Sequence, residues 1–208
     1  MQDTTDNRRF KLLTFDDMTP AQRELANNIQ SGPRAAVTGS AANTSANSVG
    51  GPFNVFLRSP ELGDLLQKTG SYLRFKSCLG MRLNELAILI TARHWTAQYE
   101  WFAHQRLALQ AGLNPEISEA IAQGQRPSAM QADEAAIYNF CQELHSSTRV
   151  SDASYQAVLD LFGEQGVVEL IAVNGYYSTV AMVLNVDRTP IPGGIAPPLA
   201  PLTDVVPN

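Results

Sequence analysis

The stretch RLNELAILITARHWTAQYEWFAHQRLALQA, residues 82–111, decides the fold, because it surrounds an apolar run with the densest mixture of ionisable and aromatic residues in the chain. Leu86–Ile90 is apolar on every side, which predicts a helix deep in the core. The neighbouring Glu85 then stands at the edge of that core. A carboxylate in this position must find a proton or a partner.

A second helix is expected in the same stretch. Thr96 can cap it, and Glu100 and His104 then lie one turn apart on one face. A carboxylate and an imidazole at this spacing can share a proton. In an aromatic setting such a pair can act as general base and general acid near neutral pH.

Two other interpretations of these residues remain open. Glu100 and His104 could form an ordinary surface ion pair, while Glu85 pairs with an arginine across the core. Glu100, His104 and either Glu85 or His94 could also ligate a metal. No second motif completes such a site, so neither a metal nor another cofactor is predicted.

Prolines at the expected first positions of helices, and apolar residues that recur with helical spacing, predict an all-α fold. Helices are expected to begin at Thr19-Pro20, Ser59-Pro60 and Asn114-Pro115. In the second of these helices an apolar stripe is expected to face the core, formed by Leu62, Leu65, Leu66, Tyr72 and Leu73. Further helices are expected around residues 137–144 and 155–162, and no segment alternates as a β-strand does.

Val167–Val186 is almost continuously apolar and long enough to raise the question of a membrane span. Glu169, Asn174 and several small polar residues interrupt it. A buried central helix of a soluble protein is therefore expected.

One helical domain, residues 1–188, is expected to carry two irregular segments. Residues 31–52 are dominated by Ser, Gly, Asn, Thr and Ala, which predicts a mobile loop. Residues 189–208 contain six prolines. They are expected to form an extended arm that is either disordered or laid across a neighbouring subunit.

Composition restricts the class of protein. The 208 residues are 44% hydrophobic and 17% charged, which is apolar enough to suggest that subunits cover one another. The net charge of -5 argues against nucleic-acid binding. The first residues contain no apolar signal segment, so a cytoplasmic protein is expected. Cys78 and Cys141 have no disulfide or metal-site spacing, and burial is their expected role.

An ordered set of short motifs resembles the carboxymuconolactone decarboxylase family, which includes the alkylhydroperoxidase D-like (AhpD-like) proteins. The motifs are GPFN (51–54), RSPEL (58–62), NELAIL (84–89), YEW (99–101), FG (162–163) and VVEL (167–170). The resemblance implies an AhpD-like helical bundle that assembles into trimers or hexamers. It also implies a pocket near the subunit contacts.

In the peroxidase branch of that family, a glutamate is followed by a CxxC pair and then by a histidine. Glu85 and His104 match the outer members, whereas Ala97 and Glu100 take the two cysteine positions. A thiolate is the nucleophile of that mechanism. Peroxidase activity is therefore disfavoured for this chain.

The chain resembles the decarboxylase branch of the family better, because that branch also lacks a dithiol. The leading hypothesis is cofactor-independent proton transfer on a small organic acid or lactone, as decarboxylation or a related lyase or isomerase step. The candidate catalytic residues are Glu85, Glu100 and His104, and the candidate substrate-binding residues are Arg93, Tyr99 and Trp101. The alternatives are an AhpD-like peroxidase and a catalytically silent oligomeric protein that binds a small molecule.

Overall fold

The helix predicted around Leu86–Ile90 is the centre of the fold. The computed structural model describes residues 7–36 and 47–200, in which α-helices pack into one bundle without a β-strand. The helices are α1 (Pro20–Ser31), α2 (Pro52–Phe56), α3 (Pro60–Phe75), α4 (Gly80–His94), α5 (Gln98–Gln110), α6 (Pro115–Ala122), α7 (Ala132–Ser147) and α8 (Asp152–Asp187). α4 packs against α3, α5, α6, α7 and α8, and every residue from Leu83 to Arg93 is buried. The all-α prediction is confirmed.

Helices α1, α3 and α6 begin where the cap-then-proline pairs predict. Thr19 and Gln22 form a reciprocal capping box at the start of α1. At the start of α6 the Asn114 side chain accepts a hydrogen bond of 3.0 Å from the Glu116 N–H. The Ser59 side chain makes no cap bond, so the fixed φ of the following proline marks this start without a cap.

The core face predicted for α3 is confirmed for Leu73, which is buried, and for Leu66, which packs against the core, but it is wrong for the other three residues. Leu62, Leu65 and Tyr72 are exposed. The buried residues of α3 are Gly63, Gln67, Gly70 and Leu73. Helix α3 turns its glycines inward because they allow a closer approach to neighbouring helices than leucine side chains would.

Helix α5 begins later than predicted. Thr96 has a φ of 46° and does not cap the helix, which begins at Gln98 with Ala97 as its N-cap residue. The left-handed conformation of Thr96 bends the chain between the two helices. The short connection leaves α5 packed along α4.

Helix α8 joins two of the predicted helices through a kink at Gly163, whose φ is 65°. Among the described residues this is the one helix long and apolar enough to cross a membrane, but half of its most apolar window is buried within the bundle. Val168 and Ile171 are exposed. One side of the helix is therefore buried and the other is exposed, so it is not the fully buried central helix that was predicted. The cytoplasmic location stays a prediction.

The loop predicted to be mobile is partly packed into the fold. Arg34, in a 3-10 turn at Pro33–Ala36, is buried, and so are Ser48 and Val49. The centre of that predicted loop, residues 37–46, lies outside the described residues. The described ends of the segment are thus part of the folded domain.

The end of the first part of the proline-rich segment, residues 189–200, is held against its own chain, and contact with a neighbouring subunit stays a prediction. The Leu199 N–H donates to the Gln98 side chain at 2.9 Å, and the Leu199 carbonyl accepts from the same side chain at 2.8 Å. Arg93 Nη1 donates to the Ala200 carbonyl at 2.8 Å. These side chains satisfy backbone groups that an extended chain cannot pair internally. Residues 201–208 lie outside the described residues.

Replacing Gly70 with alanine should destabilise the chain by about 1–3 kcal/mol. A Cβ atom at this position would lie 2.2 Å from the hydroxyl oxygen of Tyr176 on α8, so the tyrosine would have to move. Urea denaturation measures the change. Lys68→Ala, on the exposed side of α3, is the control and should stay within about 0.5 kcal/mol. Native stability in Gly70→Ala would contradict the close packing of α3 on α8.

Candidate active site

Glu85 and His104 meet between α4 and α5. The Glu85 side chain is 0% exposed, and its Oε2 lies 2.6 Å from Nδ1 of His104. A carboxylate accepts hydrogen bonds, so Nδ1 carries the proton and donates it. In the neutral ring, Nε2 then holds the free lone pair. The contact therefore fixes both the orientation and the tautomer of His104.

The second oxygen of Glu85 faces Arg74 of α3. Arg74 Nε lies 3.5 Å from Glu85 Oε1, without the geometry of a hydrogen bond. The Arg74 side chain is nearly buried. Its positive charge offsets the charge of the carboxylate in an interior that screens charges poorly. Glu85 thus stands between a cation and an imidazole.

Glu100 is buried without the predicted partner. It is 1% exposed, and neither of its carboxyl oxygens has a hydrogen-bond partner among the described residues. Burial raises the pKa of Glu100 well above its usual value, which favours the protonated form of the carboxyl group. The predicted hydrogen bond between Glu100 and His104 is absent, because Nδ1 of His104 donates to Glu85 on the neighbouring helix.

Two consecutive tyrosines of α8 lie beside these residues. The ring of Tyr177 packs edge-to-face with His104 at 5.1 Å, and Tyr176 packs in the same way with Tyr177, also at 5.1 Å. Burial raises the pKa of Tyr176 to about 12 and the pKa of Tyr177 well above its usual value. Both phenols therefore stay protonated and can donate a hydrogen bond to a bound molecule.

The three predicted substrate contacts lie elsewhere. Arg93 binds the backbone of the C-terminal segment, Trp101 belongs to the hydrophobic core, and Tyr99 packs against that core. Arg93 is eight residues after Glu85 on α4, so it points about 80° away and lies about 12 Å farther along the axis. No hydrogen bond, ion pair or ring contact among the described residues joins these three side chains to Glu85 or His104.

His94 also lies outside the site. It is nine residues after Glu85, about half a turn around α4. Its ring stacks on the ring of His145 at 4.6 Å, and it lines a separate depression of about 110 Å³. Burial, with a smaller contribution from His94, lowers the pKa of His145 to about 4, so this ring is neutral near pH 7.

Sequence reasoning missed Arg74, Tyr176 and Tyr177. Adjacent tyrosines in a segment expected to be buried were a usable signal, because each buried hydroxyl needs a hydrogen-bond partner. Arg74 gave no local signal. Its contact with Glu85 depends on where α3 lies against α4, which no short sequence pattern encodes.

Comparison with solved structures supports the predicted fold. The chain is similar to the crystal structure of a protein of unknown function from Agrobacterium tumefaciens, described as a candidate antioxidant defence protein of the AhpD type. The TM-score is 0.60 at 15% sequence identity, and the match covers 67% of this chain and 96% of the other. The likeness shows that this chain has an AhpD-like fold.

Comparison by sequence adds no closer relative. No protein family profile matches the chain, and no curated protein matches it. Membership in the carboxymuconolactone decarboxylase family therefore stays a prediction, and the chemistry has to be argued from the residues themselves.

The buried carboxyl group of Glu100 should make stability depend on pH. Its pKa is raised in the folded state above the ordinary 4.5. The associated stability is therefore fully present below about pH 4.5 and is lost as the pH rises through the folded-state pKa. Glu100→Gln removes this ionisation, so its stability relative to the native chain should increase with pH, by at most about 1.4 kcal/mol per unit.

Urea denaturation of Glu100→Gln and the native chain between pH 4 and pH 8 measures this difference. Glu119→Gln changes an exposed glutamate and is the control, for which the difference should stay constant. A constant difference for Glu100→Gln would contradict the protonated state assigned to Glu100.

Proposed function

We propose that the chain is an enzyme that transfers protons on a small organic acid or lactone, without a cofactor, in a decarboxylation or a related lyase or isomerase step. The observation that carries this proposal is the 2.6 Å contact between the buried Glu85 and His104. A carboxylate that fixes an imidazole tautomer is a common arrangement for a general base. The AhpD-like fold is compatible with this function but does not identify it.

In this proposal Nε2 of His104 is the atom that accepts a proton from the substrate. The Glu85 carboxylate orients the ring and stabilises the imidazolium that forms, because it lies on the opposite nitrogen. The His104 side chain is 12% exposed, whereas Glu85 is fully buried. The base is therefore the member of the pair that a small molecule can approach.

Glu100 is assigned the role of proton donor. It lies one helical turn before His104 on α5 and is held protonated by burial. Glu85 has charged and polar partners, whereas both oxygens of Glu100 lack partners among the described residues. Two nearby carboxyl groups with different environments can supply a base and an acid in one site.

The proposed steps are balanced in protons and electrons. In an isomerase or lyase step, His104 takes a proton from carbon and the electron pair of the broken C–H bond enters an enolate. In a decarboxylation, the electron pair of the broken C–C bond enters the enolate as carbon dioxide leaves. In the isomerase step the imidazolium of His104 or Glu100 then protonates the enolate at carbon. In a lyase step the enolate expels a leaving group from the neighbouring carbon, and Glu100 protonates that group. In the decarboxylation, where His104 has taken no proton, Glu100 protonates the enolate at carbon.

The AhpD-like peroxidase alternative has weaker support. Cys78 and Cys141 are both free thiols; Cys141 is buried as predicted, whereas the burial predicted for Cys78 is wrong, because Cys78 is exposed. Burial raises the pKa of Cys141 to about 12, and partial desolvation and the neighbouring Glu169 raise the pKa of Cys78. A raised pKa reduces the fraction of thiolate, which is the reactive form. The described residues thus contain neither a dithiol nor an activated thiol.

Replacing His104 with alanine should reduce proton exchange at least about 100-fold, because the general base is removed. The assay incubates the native chain in D2O with small carboxylic acids and lactones that carry a hydrogen next to a carbonyl group. Proton NMR detects deuterium incorporation. Glu85→Gln should lower the rate about tenfold or more, since the imidazolium loses its stabilising charge.

His94→Ala is the matched control, because it removes a histidine of α4 that lies outside the site. It should exchange at the native rate. Unchanged exchange in His104→Ala would contradict the assigned base. Dithiol-dependent consumption of a hydroperoxide that Cys78→Ser abolishes would support the peroxidase alternative, and binding without exchange would support the silent binding protein.

We also infer that copies of the chain assemble through α8. Its exposed apolar residues, Val168, Ile171, Met182 and Val186, follow a spacing close to a heptad repeat, which suits packing against another helix. A Cβ atom at Gly175, within this stripe, would meet nothing, so a second helix can approach closely there. The α8 helix of a second copy presents the same spacing of apolar residues and the same glycine, Gly175, so the two helices can pack together.

Helix α3 extends this apolar face. Its Leu62 and Leu65 are exposed, and the Tyr72 hydroxyl donates to Glu169 of α8 at 2.8 Å, which joins the two helix surfaces. Large apolar surfaces of this kind are uncommon on monomers. Three or six copies are the assembly that the family resemblance suggests.

Replacing Ile171 with glutamate should reduce the mass of the assembly measured by light scattering, because a charge would be buried in the contact. Leu109→Glu, at another exposed apolar position on α5, is the control and should keep the native mass. A native chain that is monomeric, or that gains mass only with lipid vesicles, would contradict this assembly.

A further inference from the structure

Two guanidinium groups face the same pair of tyrosines. Arg34, from the 3-10 turn at Pro33–Ala36, is 5% exposed, and the Arg74 side chain is 9% exposed. Gln67, Gly70 and Arg74 lie on one face of α3. Gln67 accepts a hydrogen bond from Arg34, and the hydroxyl of Tyr176 packs against Gly70, between the two arginines along the helix. The chain thus places two cations at the end of the site that lies next to these phenols.

The carboxylates of the site do not balance these cations. Glu85 faces Arg74, and Glu100 is held protonated by burial. Among the described residues, no carboxylate forms a hydrogen bond or an ion pair with Arg34. In that part of the chain two cations therefore face one carboxyl group, that of Glu85. A buried charge without a counter-charge is costly.

The contacts that Arg34 makes with other described residues are neutral. Its Nη1 donates to Gln67 Oε1 at a long 3.4 Å, and its guanidinium lies 5.4 Å from the centre of the Phe53 ring. Gln67 in turn donates to Asp64, but that carboxylate also pairs with Lys68 on the helix surface. Asp64 therefore does not supply a direct counter-charge to Arg34.

Several polar atoms near the two arginines have unused hydrogen-bonding capacity. Arg74 Nε, Glu85 Oε1, both oxygens of Glu100 and the whole side-chain amide of Asn84 are buried without a hydrogen-bond partner among the described residues. Native interiors seldom leave such groups unpaired. Arg93 Nε and Trp95 Nε1, outside the site, are unpartnered as well. A polar molecule bound beside Arg74, Glu85 and Glu100 would supply partners for the atoms of these three residues.

We propose that Arg34, together with Arg74, binds the carboxylate group of a small organic acid and holds it for proton transfer at His104. A single negative charge would balance the excess positive charge. The planar fork of a guanidinium matches the two oxygens of a carboxylate. The inference rests on the proposed function and deepens it, because it selects an organic acid rather than a neutral lactone as substrate.

The predicted selectivity is for acids over their amides. An amide keeps the shape of the acid but lacks its charge, and it places a donor where the guanidinium needs an acceptor. Arg34 is therefore a specificity-determining residue in this proposal. Arg93, which the sequence suggested for this role, binds the Ala200 carbonyl instead.

The test titrates the full chain with formate, acetate and benzoate, and with the three matching amides. NMR signals of labelled tyrosine rings report binding, because Tyr176 and Tyr177 lie beside both arginines. At least one acid should bind saturably, and its amide should bind at least about tenfold more weakly. Arg34→Gln should weaken binding of the acid at least about tenfold.

Arg126→Gln is the matched control. Arg126 also lies over an aromatic ring, at 5.2 Å, and also donates to a side-chain amide oxygen, but on the surface of the protein. It should bind the acid with native affinity. Arg34→Lys keeps the charge without the planar fork and should weaken binding several-fold, which gives a second test if Arg34→Gln does not fold.

Stability separates a binding role from a structural one. Without ligand, Arg34→Gln should melt no lower than the native chain, because it removes an uncompensated charge, and it should lose the rise in melting temperature that the acid produces. Native affinity in Arg34→Gln, equal binding of acid and amide, or no saturable binding of any acid by the native chain would overturn the proposal.

The proton-transfer function and the binding of the acid by Arg34 can be tested separately. His104→Ala should still bind the acid, because His104 does not hold the carboxylate. Acid binding without proton exchange in the native chain would leave the role of Arg34 standing and remove the enzymatic proposal.

Discussion

The burial of the Glu85 carboxyl group in the central helix is the constraint on which the rest of the structure depends. Glu85 is fully enclosed on α4, and an enclosed charge is stable only when other groups offset it. α3 contributes Arg74 and α5 contributes His104, one to each oxygen. The positions of these helices around α4 are therefore tied to one side chain. The same side chain determines which nitrogen of His104 is left to react.

The surroundings of the two buried glutamates give them opposite chemical character. Glu85 contacts a cation and an imidazole, whereas Glu100 has no hydrogen-bond partner among the described residues, and burial alone raises its pKa. Tyr176 and Tyr177 are protonated for the same reason. The site thus combines one fixed base with several neutral donors. This combination suits chemistry in which a proton moves and negative charge develops on a bound acid.

Local patterns in the sequence predicted the features that depend on neighbouring residues. The continuous apolar run at Leu86–Ile90 predicted the buried centre of α4, and the capping box at Thr19 predicted the start of α1. Features that depend on how helices cross were not predictable in this way. Gly70 brings α3 close to Tyr176 and turns the leucines of α3 outward. The same approach brings Arg74 to Glu85 from a distant part of the chain.

The most direct test of the account is the tautomer of neutral His104. It is measured by nitrogen-15 NMR of the imidazole ring in the native chain. We predict a ring that carries its proton on Nδ1, with a proton signal shifted downfield by the hydrogen bond to Glu85 and changed in Glu85→Gln. A neutral ring protonated on Nε2 would contradict the account, because the base would then lack its lone pair on the side assigned to the substrate.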